Sequence, residues 1–389
     1  MRIASIFAAL LILLSSSVSE AELVSRVLES FDWCVWNSAW SKAPGQITIA
    51  NEHSPDLSSG KSMGIEVHFS GKGFEWFSVK PTKPIWIPGE AKSITVRYKV
   101  NSTGYILALE FLDGWGRTEV NGKRLSWVLP VKTVGQWQTE TFTVPNDWLR
   151  PIAIGGLNIH NWDRQNEAFV LTVLIDQIEV TTDLSATDLQ TGLPKSWLSN
   201  PNERDKGKLQ QPPVPLLQTE LTSSAMNHVF AGEKPTVVFR LWDWLPQPRQ
   251  GKVDLKVLDF VGKEVFSERR MVSSSGFIEE VFPLPLKRFG WYQAKVALTI
   301  SDGTERSEQL AFAFIPPPRE LTETEKLISP YGLNVHGGRE KLAIETFRKS
   351  GIVWFRDYAF GFETMKQAKG DGRFDGWPWY HQLLWRYQK

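Results

Sequence analysis

Indole rings set beside guanidinium groups are the residues of this chain best equipped for chemistry. Asp113-Gly114-Trp115-Gly116-Arg117 and Asn161-Trp162-Asp163-Arg164 each hold a Trp and an Arg in a turn-rich word, where a loop can present both to solvent. The chemistry of such a pair is recognition: the ring offers a flat stacking face and the guanidinium a fork of hydrogen-bond donors. The competing reading is that both rings plug the ends of a β-sandwich while the arginines pair with the neighbouring aspartates. Trp76 and Trp86 are further candidates, although Phe74-Glu75-Trp76-Phe77 reads equally well as a core strand. Ten of the 18 Trp fall between Trp33 and Trp162. That density implies either a large aromatic core or a stacking surface, because many exposed indoles would compromise solubility. Trp33, Trp36, Trp127 and Trp137 are assigned to the core.

Other chemistries find less support. None of the six His forms a metal-spaced pair, so no zinc site is expected. Cys34 is the only cysteine; it can form no intrachain disulfide and reads as a small buried hydrophobe beside Trp33 and Trp36. With 44 basic against 43 acidic side chains, the chain has no global field to draw in nucleic acid or an anionic membrane. Met1-Arg2, the apolar run Ile3 to Leu14 and the small-x-small site Ser19-Glu20-Ala21 read as a secretory signal peptide over 1–21. The mature protein is therefore expected to be secreted or periplasmic. The apolar run is shorter than the ~20 residues of a spanning helix, and no later segment could cross a bilayer.

At roughly 100 to 200 residues per domain, this length makes two or three domains. Over 22–182 the pattern is short alternating runs broken by Gly, Pro, Asn and Asp. Ser93-Ile94-Thr95-Val96-Arg97-Tyr98-Lys99-Val100 alternates strictly, the period of a half-buried strand. Runs at Met63 to Phe69, Tyr105 to Phe111, Gln138 to Val144, Gly155 to Ile159 and Phe169 to Val180 complete the grammar of an antiparallel sandwich. Residues 183–214, polar and irregular through Asn200-Pro201-Asn202 and Gln211-Pro212-Pro213, read as a linker. The strand grammar returns over 215–316, where roughly seven strands in a hundred residues predict an immunoglobulin-like sandwich without the cysteine pair of antibody domains. Pro316-Pro317-Pro318 stiffens the exit. Over 317–389 the grammar becomes βαβ. A strand at Tyr331 to His336 is followed by a helix carrying Leu342, Ile344 and Phe347, a stop at Gly351 and a second strand at Ile352 to Arg356. Such a unit needs a parallel sheet with more strands than this segment supplies.

Two resemblances attach to these segments. Gly332-Leu333-Asn334-Val335-His336, the helix ending Lys349-Ser350-Gly351, the strand ending Trp354-Phe355-Arg356-Asp357 and the stretch Gly370-Asp371-Gly372-Arg373-Phe374-Asp375 resemble the opening of a clan A glycoside hydrolase. That (β/α)8 barrel group contains β-xylosidases and α-L-iduronidase-like enzymes. The resemblance implies the truncated start of a barrel, with His336 and Arg356 lining a sugar pocket. The clan's two catalytic glutamates, at the ends of its fourth and seventh strands, would lie beyond Lys389, so no catalytic residue is assigned. Gly135-Gln136-Trp137-Gln138-Thr139-Glu140-Thr141-Phe142-Thr143-Val144 and Val173-Leu174-Ile175-Asp176-Gln177-Ile178-Glu179-Val180 resemble the galactose-binding-like jelly rolls that serve many secreted carbohydrases as carbohydrate-binding modules. This second resemblance implies a polysaccharide or oligosaccharide partner, contacted by Trp115, Arg117, Trp162, Arg164, Trp76 and Trp86. It also implies a structural calcium held by Asp176, with Asp32 or Glu29 completing the oxygen site.

The expected fold is mainly β: a galactose-binding-like jelly-roll sandwich, an immunoglobulin-like sandwich and an incomplete (β/α)8 barrel fragment. The expected function is that of the N-terminal part of a secreted glycoside hydrolase acting on polysaccharide, supplying carbohydrate binding and spacing but not catalysis. The alternative is a standalone extracellular carbohydrate-binding or adhesion protein.

Overall fold

The computed structural model describes residues 23–33, 36–39, 41–57, 60–189, 191–195, 214–225, 228–274 and 276–318. Further on it describes 322, 324–325, 332–335, 349 and 354–357. Residues 1–21, read above as a signal peptide, Cys34, most of 183–214 and the stretch read as the βαβ helix apart from Lys349 lie outside the described residues. The fold is mainly β, and among the described residues no helix is long and apolar enough to cross a membrane.

The first sandwich has two faces. One sheet contains β1 (Leu23–Glu29), β3 (Gly45–Ala50), β4 (Ser62–Ser70), β7 (Glu90–Val100), β12 (Trp137–Thr143) and β14 (Ala168–Asp183), in the order β12-β7-β14-β4-β3 with β1 also paired to β14. The other contains β2 (Asn37–Ser38), β5 (Trp76–Lys80), β6 (Ile85–Ile87), β8 (Ile106–Leu112), β11 (Ser126–Val128) and β13 (Ile152–His160), in the order β11-β8-β13-β5-β2 with β6 also paired to β13. A short hairpin of β9 (Glu119–Val120) and β10 (Lys123–Arg124) stands between β8 and β11. Alternation decides what is inside. On β7, Ile94, Val96, Tyr98 and Val100 are buried, while Arg97 reaches out to Gln177 and Glu179. From the second sheet Phe77, Val79, Leu107, Leu109, Phe111, Leu157 and Ile159 meet them in one core.

The second sandwich packs a three-stranded sheet on a five-stranded one. The smaller is β15 (Leu217–Ser223), β17 (Thr236–Asp243) and β20 (Phe277–Pro283), ordered β15-β17-β20. The larger is β16 (Val229–Ala231), β18 (Arg249–Asp259), β19 (Glu264–Ser274), β21 (Gly290–Ile300) and β22 (Glu305–Ile315), ordered β16-β22-β21-β18-β19, with β16 parallel to β22. Its core is built from Phe230, Phe239, Phe282, Phe312, Leu255, Val296 and their neighbours. Beyond it, β23 (Gly332–Val335) and β24 (Trp354–Asp357) form a parallel pair, which is the strand arrangement that the βαβ reading expects.

The two sandwiches share a seam. Leu216, Trp242 and Trp244 belong to the same buried apolar cluster as the first sandwich, with Leu245 and Phe277 packed against it. The Trp242 indole N–H donates to the Leu28 carbonyl at 3.0 Å, and Arg26 donates to the carbonyls of Asp243 and Leu245 at 3.0 and 2.8 Å. At the centre lies Arg240. Its guanidinium pairs with Glu29 of β1, with Glu220 at 3.1 Å and with Glu279 at 3.2 Å. Glu29 also accepts the Trp36 indole N–H at 3.0 Å, and Glu279 accepts the Ser30 hydroxyl at 2.6 Å. The sequence placed Glu29 at a metal site; the structure instead commits its carboxylate to this cation and this indole.

Removing one partner of a buried ion pair strands the other, which costs about 3–5 kcal/mol. Arg240→Leu is therefore expected to lower the unfolding free energy by that order in urea denaturation. The seam also carries a pH signature. Burial, foremost, pushes the Glu279 carboxyl up to about 7; Glu29 and Asp32 push the same way, and Arg240 and Ser30 oppose them. Between the ordinary carboxylate range and about 7 the folded protein then holds a proton that the unfolded chain releases, so stability falls as pH rises through that window. Glu279→Gln should flatten this part of the stability–pH curve; an unchanged slope would place the titration elsewhere.

Candidate functional site

The outward face of the β5–β13–β8 sheet is not the uniformly charged surface expected of a solvated strand face. Strand pairing sets its side chains in three cross-strand rows. Gly156 and Glu110, with Lys80 lying against Gly156, make the first, Ser78, Asn158 and Ala108 the second, and Trp76, His160 and Ile106 the third. Their in-facing neighbours Phe77, Val79, Leu157, Ile159, Leu107 and Leu109 are core, so alternation alone turns the polar set to one side. The β9–β10 hairpin raises a wall along this face. Together they enclose a cleft of about 370 Å³ lined by Trp76, Ser78, Lys80, Glu110, Asn158 and Arg124, with Thr118, Glu119, Leu125 and Ala39 around it.

A bulge shapes the floor. The β13–β8 register slips between Ile154 and Gly156, and Gly156 takes a φ of 153°. A Cβ there would stand 2.5 Å from the Val79 carbonyl, so only glycine fits, and no side chain rises between Lys80 and Glu110.

The polar groups are partly linked. Asn158 donates to Glu110 at 3.4 Å, and Arg124, 71% exposed, approaches the same carboxylate at 3.5 Å. The Asn158 carbonyl oxygen and the His160 Nδ1 are buried with no hydrogen-bond partner within the protein. Such groups are costly to leave unmade. Burial, then the nearby Arg124, holds the His160 imidazole below its ordinary range, against Asp163 and Glu110, so it is neutral at pH 7. One side of the cleft thus offers a ring face, and the rest offers an amide, a hydroxyl, a carboxylate and two cations.

Of the residues singled out in the sequence, Trp76 lines this cleft. Trp115 and Arg117 do not: Asp113, fully buried, accepts the Trp115 and Arg117 backbone N–H groups at 2.9 Å each and the Arg117 Nε at 2.8 Å. The Arg117 guanidinium then lies 4.2 Å over the Trp115 ring. This is the self-contained pairing of the competing reading. Trp162 is 57% exposed, on a short 3-10 turn after β13, and its ring meets Phe74 edge-on at 5.6 Å. Arg164 turns away from it, over Phe169 at 4.0 Å, and bonds Glu167 and Ser102. Trp86 is on β6 at the other end of the sheet, where its carbonyl accepts Gln218 of the second sandwich.

The calcium expectation fares differently. Asp176 is the unpaired residue of a β-bulge on β14, buried, and takes the Ser54 backbone N–H; Asp32 takes the Lys61 backbone N–H at 2.7 Å; Glu29 is held by Arg240. Among the described residues no three acidic, His or Cys side chains gather to hold a metal. Burial raises the Asp176 carboxyl, Asp32 lies close enough to add to the rise, and Glu29 is engaged at the seam. His336 lies outside the described residues, and Arg356 stands on β24 opposite Asn334 of β23.

Asn158, Glu110, Arg124, Lys80 and Ser78 were missed because each lies on a different strand or row from the Trp words. One signal was available: Asn158 and His160 alternate with Leu157 and Ile159 in a run read only as a strand.

No protein-family model and no curated protein matches the chain. Solved structures similar to it include the glycoside hydrolase domain of Endo-D from Streptococcus pneumoniae R6, at 11% identity over 72% of this chain and a TM-score of 0.28. The chain spans 37% of that structure's length. A family 11 carbohydrate-binding module from Clostridium thermocellum, in complex with a β-1,3-1,4-mixed-linked tetrasaccharide, matches at 15% identity, covering 41% of this chain and 96% of that one at a TM-score of 0.27. Bacteroides uniformis β-glucuronidase 2 matches at 9% identity, covering 86% of this chain and 42% of that one at a TM-score of 0.26. The likeness is thus to glycoside hydrolases and carbohydrate-binding modules at low identity.

Burial, foremost, raises the Asp176 carboxyl above its ordinary value, opposed by the Ser54 N–H. Burial disfavours the charge of this carboxyl, and an amide oxygen can take the Ser54 N–H as well. Asp176→Asn should keep the thermal midpoint at pH 7, and EDTA should leave the wild-type midpoint unmoved. A fall with chelator, restored by calcium, would reinstate the metal.

Proposed function

We propose that the first sandwich binds carbohydrate in the cleft over β5, β13 and β8, and that the second sandwich spaces it from the domain that follows. The observation that carries this reading is the pairing, in one 370 Å³ cleft, of the Trp76 ring with Asn158, Glu110, Arg124, Lys80 and Ser78. A pyranose has an apolar face and a rim of hydroxyls. It needs a ring to stack on and a few fixed donors and acceptors around the edge, and the cleft supplies both.

The wider setting we propose is a secreted glycoside hydrolase acting on polysaccharide. The parallel β23–β24 pair supports this reading, in the role of the first two strands of a (β/α)8 barrel. In that setting this portion contributes binding and spacing, and the chemistry of bond cleavage belongs to the barrel.

Affinity electrophoresis through gels containing soluble polysaccharides tests the cleft. Wild type should be retarded by at least one glycan. Trp76→Ala should weaken the interaction about ten-fold, roughly 1.4 kcal/mol of lost stacking and burial, while Trp115→Ala should migrate like wild type. Equal losses in both variants, or none in Trp76→Ala, would move the site off this face. For the wider setting, an antibody against the first sandwich should detect a native secreted species longer than this chain by roughly 200 residues or more.

A further inference from the structure

Trp162 presents a problem of its own. More than half of its surface is exposed, yet the turn that carries it is fixed. Asn161, fully buried, accepts the Glu75 N–H at 2.8 Å through its side chain and donates to the Gly73 carbonyl at 3.0 Å. Its own backbone N–H donates to the Glu75 carbonyl at 3.2 Å, and the Arg164 N–H closes the turn on the Asn161 carbonyl at 2.9 Å. Gln165 donates its side chain to the Trp162 carbonyl at 3.1 Å and accepts the Gly73 N–H at 2.9 Å. An exposed indole held this firmly loses little further entropy on binding, which is the condition for an efficient contact platform.

Its position is also set. β13 ends at His160 and Trp162 opens the 3-10 turn that follows; its ring meets His160, in the last polar row, edge-on at 6.4 Å, so it stands at the end of the cleft-side rows while Asn161 is buried. Phe74 bridges to the cleft: its ring stacks on Trp76 at 5.9 Å and meets Trp162 at 5.6 Å. The rows from Gly156 to His160 span roughly 13 Å of strand at about 3.3 Å per residue, and Trp162 continues the line beyond them. That is longer than one sugar ring.

We propose that the ligand is a linear oligosaccharide segment of several units, seated at the Lys80–Glu110 end and crossing Trp76, with Trp162 as a distal platform that senses chain length. This inference rests on the carbohydrate reading of the cleft. A monosaccharide or short terminus fills the rows around Asn158 and stops short of Trp162; only a longer chain reaches the second indole.

The test uses the described chain and a ladder of linear oligosaccharides, two to six units, cut from whichever polysaccharide retards wild type in the gel. Titration calorimetry should show affinity rising with length and then levelling. Trp162→Ala should weaken the longest member roughly three- to ten-fold and leave the disaccharide unchanged. Trp162→Phe, which keeps a ring, should recover most of the loss. Trp76→Ala should weaken every member. A Trp162→Ala loss that is equal at all lengths, or absent at all lengths while Trp76→Ala still weakens binding, overturns the chain-length role and leaves the cleft standing. No retardation of wild type by any polysaccharide would remove both readings.

Discussion

Arg240 is the cation on which the arrangement of the two sandwiches depends. It rises from β17, is 5% exposed, and meets Glu29 from β1 and Glu279 from β20 inside the seam. Three carboxylates around one guanidinium leave an excess of negative charge, and in a buried setting such an excess is relieved by retaining a proton. Burial and the neighbouring acids push the Glu279 carboxyl, bonded by Ser30, up to about 7. A well-packed apolar seam could be as stable. What the guanidinium adds is direction, because its planar fork accepts partners only along fixed lines. Trp242, stacked below Arg240 at 4.9 Å and bonded to the Leu28 carbonyl, fixes the same alignment from the apolar side.

The seam is connected to the cleft through one strand. β13 pairs with β6 over Ile152 to Ile154 and with β5 over Leu157 to His160. Its first half is braced against the second sandwich, since the Trp86 carbonyl of β6 accepts Gln218. Its second half carries Asn158 and His160 into the cleft face. The bulge at Gly155 lies between the two halves and re-aims the strand, so the braced part can be flat core while the other part forms a binding floor. Asp176 shows the same device on the opposite sheet, where the extra residue of the bulge is turned inward to take the Ser54 N–H.

The fold was more legible than the site, for a physical reason. A strand writes its burial into its own sequence with period two, so Ser93 to Val100 and Phe169 to Val180 could be read directly. The short strands at Gly332 and Trp354 were likewise read from their own residues. A seam has no such signature. Glu29 and Arg240 are 211 residues apart, and an acid near the start of a sandwich looks the same whether it awaits a metal or a guanidinium. The cleft was hidden for a related reason: Ser78, Glu110, Arg124 and Asn158 come from four strands, and only their register brings them together. Trp76 was found because an indole stands out singly, and its neighbourhood could not be read with it.

The two Trp–Arg words show how far local sequence can carry a site. Both arginines are captured within or near their own turns, by Asp113 in one case and by Glu167 and Ser102 in the other. The indoles nevertheless meet opposite fates, and the buried polar residue of each turn decides between them. Asp113 directs its acceptors back into its own loop, to the N–H groups of Trp115 and Arg117, and so folds the guanidinium onto the ring. Asn161 has both a donor and an acceptor and directs them across the sheet, to Gly73 and Glu75. That joins the turn to the start of β5, sets Trp162 beside Phe74 and leaves its ring open to solvent. An aspartate at the same place could accept from Glu75 but could not donate to Gly73. The difference between a plugged end and an available platform is therefore one amide group.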